Sequence, residues 1–172
     1  MEENHATMKQ FAGSKKVYIE GTRPGVRVPM REVALSPTRT ANGESTPNRD
    51  VLLYDTSGPF TDPSAKCEIR NGLAPLRETW ILGRGDTSRL SDISSEYGRT
   101  RATDPKLADL RFHQTRKPLR AKAGRNVTQM HYAREGTVTP EMEFIAIREN
   151  AIADAEELSA QTIGADRQAE RS

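Results

Sequence analysis

The chain has 172 residues, of which 34% are hydrophobic, 5% aromatic and 29% charged, and its mean hydropathy is −0.75. This length suits one ordinary domain and is too short for a complete barrel enzyme, which takes about 250 residues. No stretch of about 18 apolar residues occurs, and Glu2 and Glu3 stand where a secretory signal peptide has basic residues. We therefore expect a soluble, cytoplasmic protein with a sparse core and no membrane segment.

Cys67 is the only cysteine. This excludes an internal disulfide, a tetrathiolate zinc site and an iron–sulfur cluster held by three or four thiolates of this chain. The histidines are His5, His113 and His131, and their spacing matches no zinc site. Lys66 would favour the thiolate form of its neighbour Cys67, but a lone thiol is more often inert than catalytic. The residues alone assign no catalytic, cofactor-binding or metal-binding residue.

Charge is unevenly distributed, although the formal net charge is only +2. Residues 99–125 contain nine basic and two acidic residues, whereas residues 141–172 contain eight acidic and three basic residues. Clustered arginines suit phosphate or carboxylate partners, so a small arginine-rich protein that binds nucleic acid or phosphate is one open interpretation. Only Phe112 adds an aromatic ring to the basic run, and no nucleic-acid-binding motif is present. We therefore favour a basic segment that faces solvent or an interface.

The N-terminal part of the chain predicts a β-hairpin. Residues 1–15 are polar and predicted to be disordered. Residues 16–20 read as a strand, residues 21–25 as a turn and residues 26–31 as a second strand, because apolar residues alternate on both sides of a Gly/Pro-rich stretch. Pro29 cannot donate a hydrogen bond, so we expect the second strand to lie at a sheet edge or to be bulged there.

The middle of the chain predicts short elements between loops. Residues 36–50 read as an exposed loop, and residues 51–54 as a more buried strand that ends in a tight turn. A short helix is predicted over residues 75–82, with Leu73, Leu76 and Trp80 at helical spacing and Gly83 as its C-cap. Residues 83–101 predict at most a turn or two of helix around 88–97. Asp104 and Pro105 then form an N-cap and first-turn pair.

The end of the chain carries the clearest helix signal. Thr139, Pro140 and Glu141 combine a capping oxygen, a first-turn proline and an acid at the positive end of the helix dipole. The predicted helix runs to about residue 160. Its apolar face comprises Phe144, Ile147, Ala151, Ala155 and Leu158, flanked by Ile145 and Ile152, and its opposite face comprises Glu143, Asn150, Asp154 and Glu157. The predicted fold class is α+β: a small antiparallel sheet or hairpin with long irregular loops, a C-terminal amphipathic helix and no barrel.

Three short motifs have plain explanations. Asp55-Thr56-Ser57-Gly58 resembles an aspartic protease loop, but Ser57 stands where that loop needs glycine and no second loop exists, so we interpret it as a turn bonded to its own backbone. Gly83-Arg84-Gly85 lacks the lysine and hydroxyl residue of a phosphate loop. Arg84-Gly85-Asp86 matches a cell-adhesion tripeptide, which we interpret as a turn.

Longer strings point to one family. They are 17–24 (VYIEGTRP), 27–32 (RVPMRE), 54–63 (YDTSGPFTDP), Gly72-Leu73, Leu76-Arg77, Trp80-Ile81, Arg84-Gly85-Asp86, 126–134 (NVTQMHYAR) and 139–150 (TPEMEFIAIREN). In this order they closely resemble the N-terminal region of phosphomethylpyrimidine synthase, an enzyme of thiamine biosynthesis. The resemblance covers residues 16–150, and residues 151–172 are then the helix end and a loose tail.

The resemblance implies a radical S-adenosylmethionine lyase that converts 5-aminoimidazole ribotide to 4-amino-5-hydroxymethyl-2-methylpyrimidine phosphate. The family enzyme is a homodimer with an N-terminal α+β domain, a central barrel that binds substrate and zinc or another divalent metal, and a C-terminal three-cysteine segment that holds a 4Fe-4S cluster. This sequence matches the first part, so the resemblance carries over no catalytic, cofactor-binding or metal-binding residue. It implies a structural or assembly domain, inactive alone, whose partners are the barrel and cluster domains or a homodimer partner.

Three alternatives remain open at this stage. A separate chain could supply the barrel and the cluster, so that the two chains together form the enzyme. The chain could instead be the arginine-rich binder described above, or a gene remnant that hardly folds without a partner. Within the family interpretation, Arg116, Lys117 and Arg120 are expected to pair with acids across the dimer, because their segment is basic and short of apolar anchors.

Overall fold

The computed structural model describes residues 12–65, 72–111, 116–151 and 153. The chain divides into a first unit, built from residues 1–65 and 142–172, and a second unit, built from residues 66–141. The predicted domain of residues 16–150 stays a prediction. Of the residues predicted to be disordered, 1–11 lie outside the described residues. Of the predicted loose tail, residues 154–172 lie outside them.

The predicted hairpin is confirmed. Strand β1 (Ser14–Glu20) pairs antiparallel with strand β2 (Arg27–Val33), and the register is continuous from Ser14 opposite Val33 to Glu20 opposite Arg27. The connection is closed by a hydrogen bond from the Gly21 backbone N–H to the Val26 carbonyl, 2.8 Å long. Residues 14 and 15, predicted to be disordered, therefore belong to β1.

The expectation that Pro29 marks an edge or a bulge is wrong. Strand β5 (Val51–Tyr54) pairs with β2 on the side away from β1, so β2 is the central strand, and its register has no bulge. The Pro29 carbonyl accepts from the Asp55 N–H at 3.0 Å, so the backbone of Pro29 faces the β5 side. The last registered pair there is Met30 with Tyr54. The missing N–H of Pro29 thus falls just past the end of the ladder, where it removes no strand-pairing bond.

The strand predicted over residues 51–54 is present, but it is less buried than expected. As β5 it forms an edge of the three-stranded sheet, and 52% of Leu53 is exposed. Residues 36–50 are exposed as predicted, apart from the half-buried Asn48. They contain a minimal hairpin of β3 (Thr38–Arg39) and β4 (Ser45–Thr46), which the sequence did not reveal because each strand has only two residues.

One face of the sheet carries the core of the first unit. Val26, Val28 and Met30 are at most 1% exposed. The last helix, α4 (residues 140–151), contacts this face through Phe144, whose ring meets the ring of Tyr54 edge-to-face at a centroid distance of 6.4 Å. Tyr54 is the register partner of Met30, so both side chains lie on the same face. The α+β class is confirmed, and the described residues form no closed barrel.

Helix α4 begins at residue 140, as predicted, and its described part reaches residue 151. Phe144, Ile147 and Ala151 are half-buried, in agreement with the predicted apolar face, whereas 49% of Ile145 is exposed. The predicted positions Ile152, Asp154, Ala155, Glu157 and Leu158 lie outside the residues whose side chains are described. The assignment of Glu143 to the solvent face is wrong, because only 11% of its side chain is exposed.

Glu143 fastens α4 to the turn between β1 and β2. Its Oε1 accepts hydrogen bonds from the Thr22 N–H at 2.5 Å and the Thr22 hydroxyl at 2.7 Å, and its Oε2 lies 3.4 Å from Arg23 Nη1. These hydrogen bonds from Thr22, together with the charge of Arg23, lower the pKa of Glu143. A helical wheel cannot reveal this contact, since the turn lies about 120 residues earlier in the sequence.

The second unit contains short elements with two buried aromatic side chains. Helix α1 (Glu78–Gly83) buries Trp80, and helix α3 (Gln129–Arg134) buries Tyr132. The helix predicted over residues 75–82 is thus confirmed in a shorter form. Leu73 and Leu76 precede it and are 49% and 58% exposed, so they do not pack as expected. The left-handed residue after the helix is Gly85 (φ 73°), two positions beyond the predicted glycine cap.

The rest of the second unit is a small sheet and two helical turns. Strand β6 (Thr87–Arg89) pairs antiparallel with β7 (Leu119–Ala121). Helix α2 (Glu96–Thr103) starts later than the predicted 88–97 turn, because Ser95 caps it by accepting from the Gly98 N–H. Asp104 caps a 3₁₀ helix (Pro105–Leu110), as predicted. Helix α3 was not predicted from periodicity, although Thr128 caps it with its side chain.

Replacing Gly21 with alanine should destabilise the first unit. A Cβ atom at this position would lie 2.7 Å from Val26 Cγ1 and 2.9 Å from Glu143 Oε1, so the turn or α4 must shift. We expect the free energy of unfolding in urea to fall by about 1–3 kcal/mol, as for an overpacked interior. Gly83→Ala is the matched control, because nothing lies within 4 Å of its Cβ and its φ is not positive. Equal unfolding free energies for the two variants would contradict the close approach.

Candidate functional site

The candidate site lies on the face of the sheet opposite the core, and its central residue is Asp55. Asp55 directly follows β5 and is 5% exposed, which is rare for a carboxylate. The hydrogen bond from its N–H to Pro29 fixes its backbone at the end of the sheet. Its side chain therefore has to find partners inside the protein.

Two cations, the nearly enclosed Lys16 and the half-buried Arg31, supply those partners. Lys16 on β1 and Arg31 on β2 are directly opposite in the strand register, where like charges repel each other. The Oδ2 atom of Asp55 lies 3.4 Å from Lys16 Nζ and 2.9 Å from Arg31 Nη2. The side chains of Lys16 and Asp55 are only 4% and 3% exposed. One carboxylate thus compensates two neighbouring positive charges.

The segment after β5 completes the hydrogen bonding. Asp55 Oδ1 accepts from the Ser57 N–H at 2.8 Å and from the Ser57 hydroxyl. The Thr61 hydroxyl accepts from Arg31 Nη2 at 2.8 Å and lies 2.5 Å from Ser57 Oγ. The ammonium group of Lys16 also donates to the Gly58 carbonyl. Both oxygens of Asp55 are therefore occupied by partners from the protein itself.

The electrostatics of Asp55 favour a permanently ionised group. Burial disfavours its charged form, but the two hydrogen bonds from Ser57 and the charges of Lys16 and Arg31 outweigh burial and lower its pKa. An ionised, enclosed carboxylate with fully occupied oxygens has no proton to donate and no open position for a substrate. The interpretation of Asp55 and Ser57 as a turn bonded to its own backbone is confirmed.

A second pair extends this cluster along the sheet. The Tyr18 hydroxyl donates to Asp62 Oδ2 at 2.6 Å, and the Arg27 guanidinium lies 4.0 Å from the centre of the Tyr18 ring. Hydrogen bonds from Ser64 and Tyr18 lower the pKa of Asp62 to about 2. Burial, followed by the hydrogen bond to Asp62, raises the pKa of Tyr18 to about 12. Hereafter the Asp55 network means the set of Lys16, Tyr18, Arg31, Asp55, Ser57, Thr61 and Asp62.

The second unit has its own ionic cluster, around Arg84. The guanidinium forms a bidentate pair with Glu141 at 2.7 Å and 3.2 Å and lies 5.1 Å from the centre of the Tyr132 ring. The Tyr132 hydroxyl donates to Asp86 Oδ2. Arg84 Nε and Asp86 Oδ1 are buried and have no hydrogen-bond partner among the described residues. Arg84 and Asp86 are therefore not available to bind an adhesion partner. The interpretation of Arg84-Gly85-Asp86 as a turn is confirmed.

The structure agrees with the interpretation that Gly83-Arg84-Gly85 is not a phosphate loop. Arg84 is engaged by Glu141, and the Gly85 carbonyl accepts from Lys122 Nζ at 2.6 Å. The Gly85 N–H donates to the Leu82 carbonyl at 3.0 Å. The groups that would face a phosphate are thus used within the second unit.

The candidate metal ligands are not brought together in the described part of the chain. His131 is half-buried in α3, with its ring centre 5.7 Å from that of Tyr132, whereas His5, His113 and Cys67 lie outside the described residues. No group of three or more His, Cys, Asp or Glu side chains that could hold a metal ion occurs among the described residues. Among those residues, no helix is long and apolar enough to cross a membrane.

The described part of the basic run, residues 99–111 and 116–125, is called the basic segment below. Its nine cationic side chains are Arg99, Arg101, Lys106, Arg111, Arg116, Lys117, Arg120, Lys122 and Arg125. All nine belong to exposed residues. Three of them donate to backbone carbonyls: Arg99 to Ile93 and Ser94, Arg111 to Asp104, and Lys122 to Gly85.

Comparison with known families identifies the first part of the chain. Residues 10–88 match the model of the ThiC-associated domain. The chain carries a ThiC-associated domain. This domain includes every member of the Asp55 network, and it confirms the resemblance to the N-terminal region of phosphomethylpyrimidine synthase. Residues 10–88 are thus similar to a domain of ThiC-related proteins. The resemblance of residues 89–150 stays a prediction.

Replacing Asp55 with asparagine should strongly destabilise the ThiC-associated domain. The substitution keeps the shape but removes the negative charge that Lys16 and Arg31 share, and removing one partner of a buried ion pair costs about 3–5 kcal/mol. The measurement is urea unfolding. Asp50→Asn, at an exposed position, is the control and should change little. Lys16→Met should cost less in the Asp55→Asn background than in the wild type. Simple additivity would show that the two residues are not coupled.

Ionisation of Tyr18 should destabilise the domain at high pH. Its pKa is raised from 10.0 to about 12 on folding, so its stabilising contribution is complete below pH 10 and is lost as the pH rises through 12. Tyrosinate absorbance should show a component titrating near pH 12 that is missing in Tyr18→Phe. Tyr97→Phe is the matched control, because 72% of Tyr97 is exposed. Burial also raises the pKa of Tyr132, so some high-pH absorbance remains in Tyr18→Phe. A high-pH amplitude equal to that of the wild type would contradict the Tyr18–Asp62 bond.

Proposed function

We propose that this chain supplies the N-terminal associated domain of a phosphomethylpyrimidine synthase and that its role is structural: it assembles with the catalytic part of the enzyme. The enzyme would convert 5-aminoimidazole ribotide to the hydroxymethylpyrimidine phosphate of thiamine biosynthesis. The observation that carries the proposal is the match of residues 10–88 to the ThiC-associated domain, in which the carboxylate of Asp55 is enclosed by Lys16 and Arg31.

The geometry of the Asp55 network supports a structural role. A catalytic acid or base has to come within hydrogen-bond distance of the substrate. Asp55 has a side chain that is 3% exposed, and its oxygens are taken by Ser57, Lys16 and Arg31. Its physical effect is to hold the segment after β5 on the sheet.

The residues of this chain do not fit the cofactors of the proposed enzyme. A 4Fe-4S cluster that keeps one iron open for S-adenosylmethionine needs three cysteine thiolates, and this sequence has one cysteine. The cluster, S-adenosylmethionine and the divalent metal would then be held by a polypeptide region outside these 172 residues. No step of the chemistry is assigned to residues of this chain.

The proposed partners follow from this division of roles. They are the barrel and cluster domains of the synthase, in a homodimeric, cytoplasmic lyase that uses radical chemistry. Glu143 supports an assembly role, because its bonds to Thr22 fix the start of α4 relative to the sheet. Helix α4 would therefore keep a defined direction relative to the sheet.

The proposal can be tested by reconstitution. A synthase polypeptide from which the region matching residues 10–88 has been removed is mixed with the purified 172-residue chain, aminoimidazole ribotide, S-adenosylmethionine and a reductant. We expect the chain alone to form no pyrimidine phosphate and the mixture to form a complex with increased product formation. Asp55→Asn should reduce this gain through loss of the folded domain, whereas Asp50→Asn should retain it.

Two results would contradict the proposal. Product formation by the purified chain alone would show that its own residues catalyse the reaction. A mixture that forms no complex in sedimentation or size-exclusion experiments, although each component is folded, would show that the chain has no assembly role in the enzyme.

A further inference from the structure

The helical part of the basic segment lacks the packing that holds the other helices of the second unit. Helix α2 and the following 3₁₀ helix contain no buried residue, whereas α1 buries Trp80 and α3 buries Tyr132. Short helices in water depend on tertiary packing for most of their stability. Residues 96–110 therefore contribute no buried side chain to the core of the second unit.

Large apolar side chains are exposed on this same surface. Tyr97 is 72% exposed and Leu110 is 75% exposed, the highest values among the large hydrophobic side chains of the described residues. Arg101 lies 5.5 Å from the centre of the Tyr97 ring, so a cation borders the exposed aromatic side chain. Tyrosine and arginine are the residue types that are enriched at the centres of protein–protein interfaces.

Among the described residues, no carboxylate compensates the charge of the basic segment. In the described part of the chain, ion pairs involve Lys15, Lys16, Arg23, Arg27, Arg31, Arg84, Arg89 and Arg148. None of the nine cations of the basic segment pairs with a described carboxylate. Arg99, Arg111 and Lys122 are nevertheless anchored by backbone carbonyls. The segment thus presents fixed positive charge that a negatively charged partner would complement.

A protein partner fits this surface better than a nucleic acid does. Glu96, Asp104 and Asp109 are interspersed among the cations of residues 96–111 and would repel a phosphate backbone. Only Tyr97 offers an exposed aromatic ring there, whereas single-strand binding uses several stacking platforms along a basic groove. Exposed Leu110 offers no contact that a phosphate would recognise, but it suits an apolar depression on a protein.

We infer that the basic segment, with Tyr97 and Leu110, is the docking surface for an acidic protein face with an apolar centre, carried by the polypeptide that supplies the catalytic part of the synthase. This inference rests on the proposed function and deepens it by naming the surface that carries the assembly role. The cations would supply long-range attraction and orientation, and the two apolar side chains would be buried on contact.

The test measures the affinity of the 172-residue chain for the synthase polypeptide described above, by surface immobilisation or sedimentation. The triple variant Arg116→Glu, Lys117→Glu, Arg120→Glu should bind at least about tenfold more weakly at low salt, with the difference shrinking in about 0.5 M salt. Tyr97→Ala should weaken binding several-fold at both salt concentrations. Far-ultraviolet circular dichroism and urea unfolding verify that each variant is folded.

A matched control separates local from overall charge. The triple variant Arg39→Glu, Arg49→Glu, Arg134→Glu changes three exposed arginines outside the segment and alters the net charge equally. It should bind within about twofold of the wild type. Equal weakening by both triple variants, or no weakening by either, would overturn the inference while leaving the proposed function intact.

Two further outcomes are decisive. If the wild-type chain does not bind the synthase polypeptide at all, the proposed function fails and the inference fails with it. If the wild-type chain binds a single-stranded 30-nucleotide DNA more tightly than the synthase polypeptide, and the basic-segment triple variant abolishes that binding, the surface is a nucleic-acid site and the inference is overturned.

Discussion

The arrangement of the ThiC-associated domain depends on one carboxylate placed between two cations. Lys16 and Arg31 face each other across β1 and β2, so the strand pairing itself brings like charges together in a buried position. Asp55 resolves the conflict, but only because β5 delivers it to the end of the sheet and Pro29 accepts its N–H. Strand order, register and the loop after β5 are therefore coupled through a single side chain. A shift in strand register would separate Asp55 from its cations, whereas apolar contacts alone would tolerate such a shift.

The sheet is consequently used differently on its two faces. The core face holds Val28 and Met30 and receives Phe144 from α4, while the other face holds the Asp55 network under the 55–64 loop. A chain with only 34% hydrophobic residues has little apolar surface to bury on two sides. Fully bonded polar side chains cover the second face instead, which satisfies the rule that buried charge must be paired.

Local sequence patterns predicted most helices and strands, but the pairing of their side chains depends on contacts between residues far apart in the sequence. Alternation at residues 16–31 gave the hairpin, and Thr139 with Pro140 gave the start of α4, because both signals lie within a few residues. The turn bonds of Asp55 were visible for the same reason. Its pairing with Lys16 and Arg31 was not, since it requires the strand order. Glu143 was misplaced because its partner Thr22 is 121 positions away, and α3 was missed because six residues carry too little periodicity.

The first unit is assembled from two distant parts of the chain, with residues 66–141 inserted between them. During synthesis the three-stranded sheet is therefore complete long before Phe144 and Glu143 exist. At about 5–20 residues per second, the ribosome needs roughly 5–20 s to travel from Tyr54 to Phe144. For that interval the core face of the sheet, which carries Val28 and Met30, lacks its contact with Phe144. The nascent chain would then expose apolar surface to which holdase chaperones can bind.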